Sequence, residues 1–381
     1  MIVILLRKNT EKRGEDYKKM FPYFFTFICS NSCAVAYSKT KTQSGRICAL
    51  VLLFFFLFIP SAIRYGVGCD YFEYQKMVDT AILTNKYMDF ERGEPGWVAI
   101  LYIMDIFNLN TQWFFIITSF FSIAIICSVF GKKDAWIGIL GYTLLVYNIS
   151  YNIVRQTFAI TIFLLGVKKF INKKIIVGFF WAFIACLFHK ALYVMLLLFP
   201  FILITKNKYN KIYNLWILGI IALLVFKFNV ATLIMETIIP NTGFAHYIVG
   251  AMNDKTGGTG LGILLKMIIC SSPLIFFRYN KKSSAKINRE HAIICACSFF
   301  QIITYILSRQ IIAMHRLPTL FLTCQIYMLH DIYYIKSKYR KIVFYSVISL
   351  LIMFFIFEVM NSPSEANGGQ GLTPYRTIFE K

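Results

Sequence analysis

Acidic residues are scarce in this chain: 18 Asp and Glu stand against 40 Lys and Arg over 381 residues, a formal net charge of +22. Such a balance is typical of nucleic-acid binders. Here, though, the basic residues fall in short clusters between apolar runs, which argues against nucleic acid and fits the positive-inside pattern of membrane proteins. Polar sequence long enough for a soluble catalytic domain is also missing. The two long acid-containing or glycine-rich connections, 64–95 and 236–260, are too short to build a core alone. The ten cysteines show no pair with zinc-site spacing. Most lie inside apolar segments, among them Cys127, Cys186, Cys270, Cys295 and Cys324, where a thiol acts as a small hydrophobe. Cys69 is the one placed to meet an outer aqueous space. Gly257-Gly258-Thr259-Gly260 lacks the strand-turn-helix context and the lysine of a phosphate loop. No internal repeat is visible, and residues 1–20 lack the apolar core of a cleavable signal peptide. No metal and no cofactor is called for.

What remains is apolar sequence in abundance. Hydrophobic residues make up 58% of the chain and aromatic ones 17%, with a mean hydropathy of +0.62. The apolar runs recur along nearly the whole chain, each close to bilayer-spanning length. They are continuous rather than alternating, so they read as helices and not barrel strands. The fold class is therefore all-α: a polytopic integral membrane protein with about 11–13 hydrophobic helices. Candidate segments are 21–37, 47–63, 96–109, 112–130, 135–150, 153–168, 174–189, 190–205, 213–235, 261–277, 291–308, 311–333 and 342–359. Three parts follow: a basic N-terminal segment, 1–46, able to hold a first membrane helix; a membrane domain, 47–360; and an outward-facing tail, 361–381.

Charge sets the topology. The clusters at Lys39/Lys41/Arg46, Lys132/Lys133, Lys168/Lys169/Lys173/Lys174, Lys206/Lys208/Lys211, Arg278 to Arg289 and Lys336 to Lys341 are assigned to the cytoplasm. The loops 64–95 and 236–260, the turns near 147–152, 189–190 and 309–311, and the tail then face outward. This holds if 96–109, short and containing Asp105 and Asn108, does not cross the bilayer. If 21–37 crosses, residues 1–20 with their basic side chains would lie outside. Translation starting at Met20 would remove that conflict.

With this topology, chemistry-bearing residues collect at the outer face. Arg64-Tyr65-Gly66-Val67-Gly68-Cys69-Asp70-Tyr71 follows directly on an apolar run. Arg64 could bind a phosphate bidentately, or simply snorkel from a helix end. The glycines permit close backbone approach to a ligand. Asp70 is a general-base candidate, against the plainer role of a solvated loop carboxylate. Glu73 and Asp79 rank lower, and Asp89-Phe90-Glu91 is a weak metal-type pair. Glu94-Pro95-Gly96-Trp97 opens a helix, where the carboxylate could cap the helix or hold an arginine or a sugar hydroxyl. Arg155 and Gln156 lie near the outer start of their helix, about 20 Å in helical rise from Lys168. An ionisable residue at that depth reads as functional or as a structural ion pair. His189-Lys190 ends the next helix at the same face, with histidine either a base or an interfacial anchor. His315-Arg316 is a third such pair, and Arg309 an anchor. Several cations and histidines facing one outer cavity suit an anionic ligand with a lipid tail.

These elements resemble, in order, the EpsG-type, Wzy-like bacterial polysaccharide polymerases. Residues 64–71 resemble the family's R-x-x-x-G-T-D-Y signature, with Cys69 in the threonine position. Glu94 to Trp97 resembles its E-x-G-aromatic element, and Asn152 to Gln156 its asparagine-to-R-Q helix start. Phe188-His189-Lys190-Ala191 resembles its F-H-x-[SA] element, and Pro374-Tyr375-Arg376 its closing P-Y segment. The resemblance covers most of the chain from about residue 47. It implies a glycosyltransferase of GT-C-like architecture at the outer face of the bacterial cytoplasmic membrane. Its partners would be the bilayer, polyprenyl-diphosphate-linked oligosaccharide and other envelope-assembly proteins. Asp70 or His189 would be the acceptor base. Arg64, Arg155 and Arg316 would hold the departing diphosphate, with Tyr71, Glu94, Gln156, His315, Tyr375 and Arg376 in the substrate site. A flippase would need mid-membrane charges and repeats, and an acyltransferase an approach from the inner side.

Overall fold

The computed structural model describes residues 2–87, 94–205, 215–228, 261–280, 289–308, 316–335, 337–360 and 371–380. Among these the chain is helical, and its one β-type contact is an isolated bridge between Arg64 and Thr377. The helices are α1 (Ile2–Lys39), α2 (Gln43–Ile63), α3 (Tyr71–Leu83), α4 (Pro95–Ile106), α5 (Gln112–Val129), α6 (Ala135–Tyr142) and α7 (Val154–Ile171). They continue as α8 (Ile175–Phe188), α9 (Tyr193–Thr205), α10 (Leu215–Lys227), α11 (Leu261–Asn280), α12 (Arg289–Ser308), α13 (Leu322–Tyr334) and α14 (Arg340–Met360). Four of them, α2, α5, α12 and α14, are long and apolar enough to span a membrane. Others, including α8 and α9, are apolar but shorter.

Several sequence expectations change in detail. The segment 21–37 is part of one longer helix, α1, which runs through Pro22. The run 96–109 forms α4, whose 12 residues rise only about 18 Å, short of a hydrocarbon core. Loop 64–95 is not all loop. It holds α3, whose buried residues Tyr71, Tyr74, Val78 and Ala81 recur at helical spacing, with Glu73, Lys76 and Thr80 exposed on the other side. The segment 135–150 is broken into α6, a π-turn at Thr143–Tyr147 and a 3-10 turn at Ile149–Tyr151. The Asp89/Glu91 pair, Arg309, the loop 236–260 and Gly257 to Gly260 lie outside the described residues.

The chain divides into two compact units. The first comprises residues 1–165, 183–190 and 351–381. In it α2 begins at Thr42, whose hydroxyl accepts the Gly45 N–H as an N-cap. The buried stripe Ala49, Leu53, Leu57 and Ser61 of α2 recurs every four residues, while Phe55 and Ile59 on other faces stay exposed, as lipid-facing residues would. Ser61 and Ser119 bridge α2 to α5 through their hydroxyls at 2.7 Å, and the Tyr147 hydroxyl donates to the Leu57 carbonyl at 2.8 Å. The second unit comprises residues 166–182 and 191–350. There α12 and α13 are joined by two reciprocal pairs, His291 with Asp331 at 2.6 Å and His330 with Glu290 at 2.7 Å. The apolar context of both helices hides this pairing in the sequence, because only the packing register sets an E-H dipeptide against an H-D dipeptide.

Candidate active site

The first unit builds its polar site around one carboxylate. Glu94 stands at the N-cap of α4, with Pro95 in the first turn. Its side chain is buried and accepts three hydrogen bonds. Arg155 donates from Nη1 to Oε2 at 2.8 Å, the Lys190 backbone N–H donates to Oε1 at 3.0 Å, and His189 Nδ1 lies 3.2 Å from Oε1. Burial would raise the carboxyl pKa. The His189 hydrogen bond, the Arg155 charge and the Lys190 N–H outweigh it and hold Glu94 below the usual carboxylate range. The ionised carboxylate can only accept, so His189 donates from Nδ1, and in its neutral form the Nε2 lone pair is the acceptor.

Each residue of Glu94-Pro95-Gly96-Trp97 has a local reason. A Cβ on Gly96 would come within 2.6 Å of the Phe188 ring, so glycine is what lets α4 sit on the end of α8. The Trp97 indole N–H then donates to the Phe188 carbonyl at 2.7 Å, satisfying an acceptor that the helix end leaves open. Trp97 is fully buried, with ring centroids of Phe114, Phe158 and Phe188 within 5.2–5.4 Å. His189 is thereby fixed at the last turn of α8, against Glu94.

The glycine-rich loop after α2 forms the adjoining structure. Arg64 is buried, with its guanidinium between the rings of Phe115 at 4.8 Å and Tyr151 at 4.5 Å. Its Nη1 donates to the carbonyl and the hydroxyl of Ser61. Burial pulls its pKa down, and the surrounding tyrosines, Tyr151 and Tyr71 foremost, pull it back up. A hydroxyl-lined cavity of about 20 Å³ beside it has room for one water. Gly68 has φ +100°, and a Cβ there would meet the Tyr151 carbonyl at 2.4 Å. Next to it the Cys69 N–H donates to Asn152 Oδ1 at 2.5 Å. On the loop's other side the C-terminal segment closes over it. Gly68 N–H donates to the Gly371 carbonyl, Tyr65 N–H to the Arg376 carbonyl, and the Tyr375 hydroxyl to the Pro60 carbonyl.

The expected site residues thus separate. Glu94, Arg155 and His189 come together, with Gln156 buried beside Arg155 on α7. Arg64 sits within the loop's own packing rather than in that cluster. Asp70 is the N-cap residue of α3 and makes no side-chain cap bond. Tyr71 stacks on Phe115 at 4.5 Å and donates to Gln112 Oε1 at 3.0 Å. Burial first of all pushes its phenol up to about 12, so it stays protonated. Tyr375 is a structural donor, and Arg376 enters through its carbonyl while its side chain is exposed. Arg316 belongs to the second unit and is exposed just before a 3-10 turn at Pro318–Phe321. His315 lies outside the described residues. Sequence reasoning missed Tyr74, whose ring lies 5.9 Å from the Arg155 guanidinium, and Gln112, which also donates to the Ala62 and Arg64 carbonyls. The signal for Tyr74 was its position one turn after Tyr71 on a buried helix face. Gln112 had no such signal. Among the described residues no group of three His, Cys, Asp or Glu side chains is placed to hold a metal ion.

The sequence profile of the EpsG family aligns with residues 47–377, from the start of the apolar part of α2 to the C-terminal segment that closes over the glycine loop. No curated protein and no solved structure matches the chain. The aligned span contains the Glu94 cluster, the glycine loop and the closing segment together, and this chain belongs to the EpsG family, membrane proteins of the polysaccharide-polymerase type.

Proposed function

We propose that this protein is a glycosyltransferase of the bacterial cytoplasmic membrane that polymerises polyprenyl-diphosphate-linked oligosaccharide repeat units at the membrane's outer face. The observation that carries the reading is the buried Glu94 bonded at once to Arg155 and His189 in a chain of this family. Glu94 fixes the ring and tautomer of His189, as a carboxylate does for a catalytic imidazole. His189 Nε2 removes the proton from the acceptor sugar hydroxyl. That oxygen forms a bond to the anomeric carbon of the donor glycan, and the carbon–oxygen bond to the diphosphate breaks. The polyprenyl diphosphate departs with the electron pair. Arg155 brings a guanidinium to the cluster, a charge suited to meeting the one that develops on a departing diphosphate. Asp70 is the alternative base. It stands at the head of α3, where its side chain makes no cap hydrogen bond.

The test is glycan chain length in cells lacking this gene, complemented with wild type, His189→Ala, Arg155→Ala or Asp70→Asn at matched membrane levels. Wild type and Asp70→Asn should restore long polymer. His189→Ala and Arg155→Ala should leave single lipid-linked repeat units. Long polymer persisting in the null cells, with only its decoration altered, would overturn the reading. Polymer lost in Asp70→Asn but kept in His189→Ala would move the base to Asp70.

A further inference from the structure

A second cavity in the first unit, of about 450 Å³, opens between α3, the start of α5 and the glycine loop. It falls in the size range of small-ligand sites. Its lining differs from that of the Glu94 cluster. Three flat aromatic side chains, Tyr65, Tyr71 and Trp113, meet three side-chain amides, Gln75, Asn110 and Gln112. Among the described residues no lysine, arginine or histidine lines it, and the carboxylate that does, Asp79, accepts the Thr111 hydroxyl. Among the described residues an anion meets no cationic side chain here.

The amides divide into fixed and available groups. Gln112 is held at both ends: Nε2 donates to the Ala62 and Arg64 carbonyls, and Oε1 accepts from Tyr71. Asn110 Oδ1 accepts the Gln112 N–H at 3.1 Å, which leaves its NH₂ to donate elsewhere. Gln75 is half-buried and makes no hydrogen bond among the described residues. An amide carries a donor and an acceptor on one rigid plane. A pair of neighbouring sugar hydroxyls presents the complementary pattern. Trp113 is 42% exposed and offers an apolar ring face with an electron-rich quadrupole to the weakly positive C–H face of a pyranose. A tryptophan serving only as a membrane-interface anchor would not need three amides and an acid beside it.

We propose that this cavity is a binding subsite for a neutral sugar residue, with Gln75 and Asn110 reading its hydroxyls and Trp113 stacking on its ring. The assignment rests on the polymerase reading and deepens it. The sugar belongs to the lipid-linked repeat unit, and the subsite holds it through hydroxyl and ring-face contacts while the phosphates are bound elsewhere. The loop that forms one wall, Tyr65 to Tyr71, contains Asp70 and is packed against Tyr151 and Asn152, so occupancy bears on the same loop that adjoins the active site.

The experiment uses membrane vesicles containing the full-length protein, supplied with the lipid-linked repeat-unit pool extracted from cells lacking it. Polymer formation is followed against repeat-unit concentration for wild type, Gln75→Ala, Asn110→Ala and Trp113→Ala. Lys76→Ala, exposed on α3 and outside the cavity lining, is the control. Each cavity variant should raise KM about five- to tenfold with kcat retained, the cost of one lost uncharged contact. Lys76→Ala should match wild type. KM unchanged in all three cavity variants, at membrane levels equal to wild type, would overturn the subsite. So would an equal fall of kcat in all three with KM unaltered. Absence of polymer from wild type and Lys76→Ala would instead count against the polymerase reading itself. A competing neutral methyl glycoside that raises KM for wild type but not for Trp113→Ala would identify the sugar class.

Discussion

Glu94 shows how one residue can set the chemistry of its neighbours. A buried carboxylate survives only if its charge is met, and here a guanidinium, an imidazole and a backbone N–H meet it. Glu94→Gln therefore puts one acceptor oxygen where there were two and removes the negative charge that Arg155 meets. The expected loss of stability is roughly 3–5 kcal/mol, read as thermal unfolding in detergent. The pH dependence follows from the lowered pKa of Glu94. A carboxylate whose folded pKa lies below its unfolded value of 4.5 contributes stability that is complete above 4.5 and is lost as pH falls through the folded value. The gap in melting temperature between wild type and Glu94→Gln should stay flat from about pH 7.5 to about pH 5.5 and close at more acid pH. A gap that instead widened on acidification would mean that Glu94 is neutral in the fold. The sequence already placed a carboxylate at a helix start and offered it an arginine as partner. It did not say which arginine, because Arg155 lies 61 positions along the chain.

At the scale of elements, the glycine loop is legible as a motif and opaque as geometry. Gly66 and Gly68 suggest close approach to a ligand. In the fold, the close approach at Gly68 is to the protein's own Tyr151 carbonyl, in a backbone conformation with φ +100°. Gly68→Ala carries both a left-handed strain and a clash. It should lower stability by more than about 1 kcal/mol and misplace Arg64 and Asp70 on either side of it. Gly131, whose added Cβ would meet nothing within 4 Å, is the matched comparison, and Gly131→Ala should melt within error of wild type. If both variants melt alike, the loop does not depend on the Gly68 conformation. Helix α3 illustrates the reverse case. Its apolar positions 71, 74, 78 and 81 carry a helical period, but the acids around them gave the segment the look of a loop. Local polarity won the sequence reading, and burial of one face won the fold.

Over the whole molecule, the far ends of the first unit are tied together. Residues 371–376 are tied to the last turn of α2 and the loop after it, more than 300 positions earlier: the Gly371 and Arg376 carbonyls accept the Gly68 and Tyr65 N–H groups, and the Tyr375 hydroxyl donates to the Pro60 carbonyl. A chain stopped after residue 370 keeps every membrane helix but loses this closure. It should reach the membrane at near-normal levels and yet make no long polymer, measured as membrane abundance beside glycan length. Normal polymer from the truncated chain would show that the glycine loop holds its shape without the tail.

Class was determined by the sequence alone, for a physical reason. Continuous apolar runs separated by basic clusters have no stable arrangement other than helices in a bilayer, whatever their order in space. The short span of α4 and the residues of the Glu94, Arg155 and His189 cluster could likewise be read, because each sits at a helix end where chain direction and charge are locally fixed. Only the tertiary structure decided which of them touch. It drew Arg64 away from that cluster into a stack of rings, gave Tyr375 to a backbone carbonyl, and opened a sugar-sized cavity beside α3. Those outcomes depend on packing between segments far apart in sequence. No local pattern records such packing, since its energy comes from burial and hydrogen bonds that exist only once the segments have met.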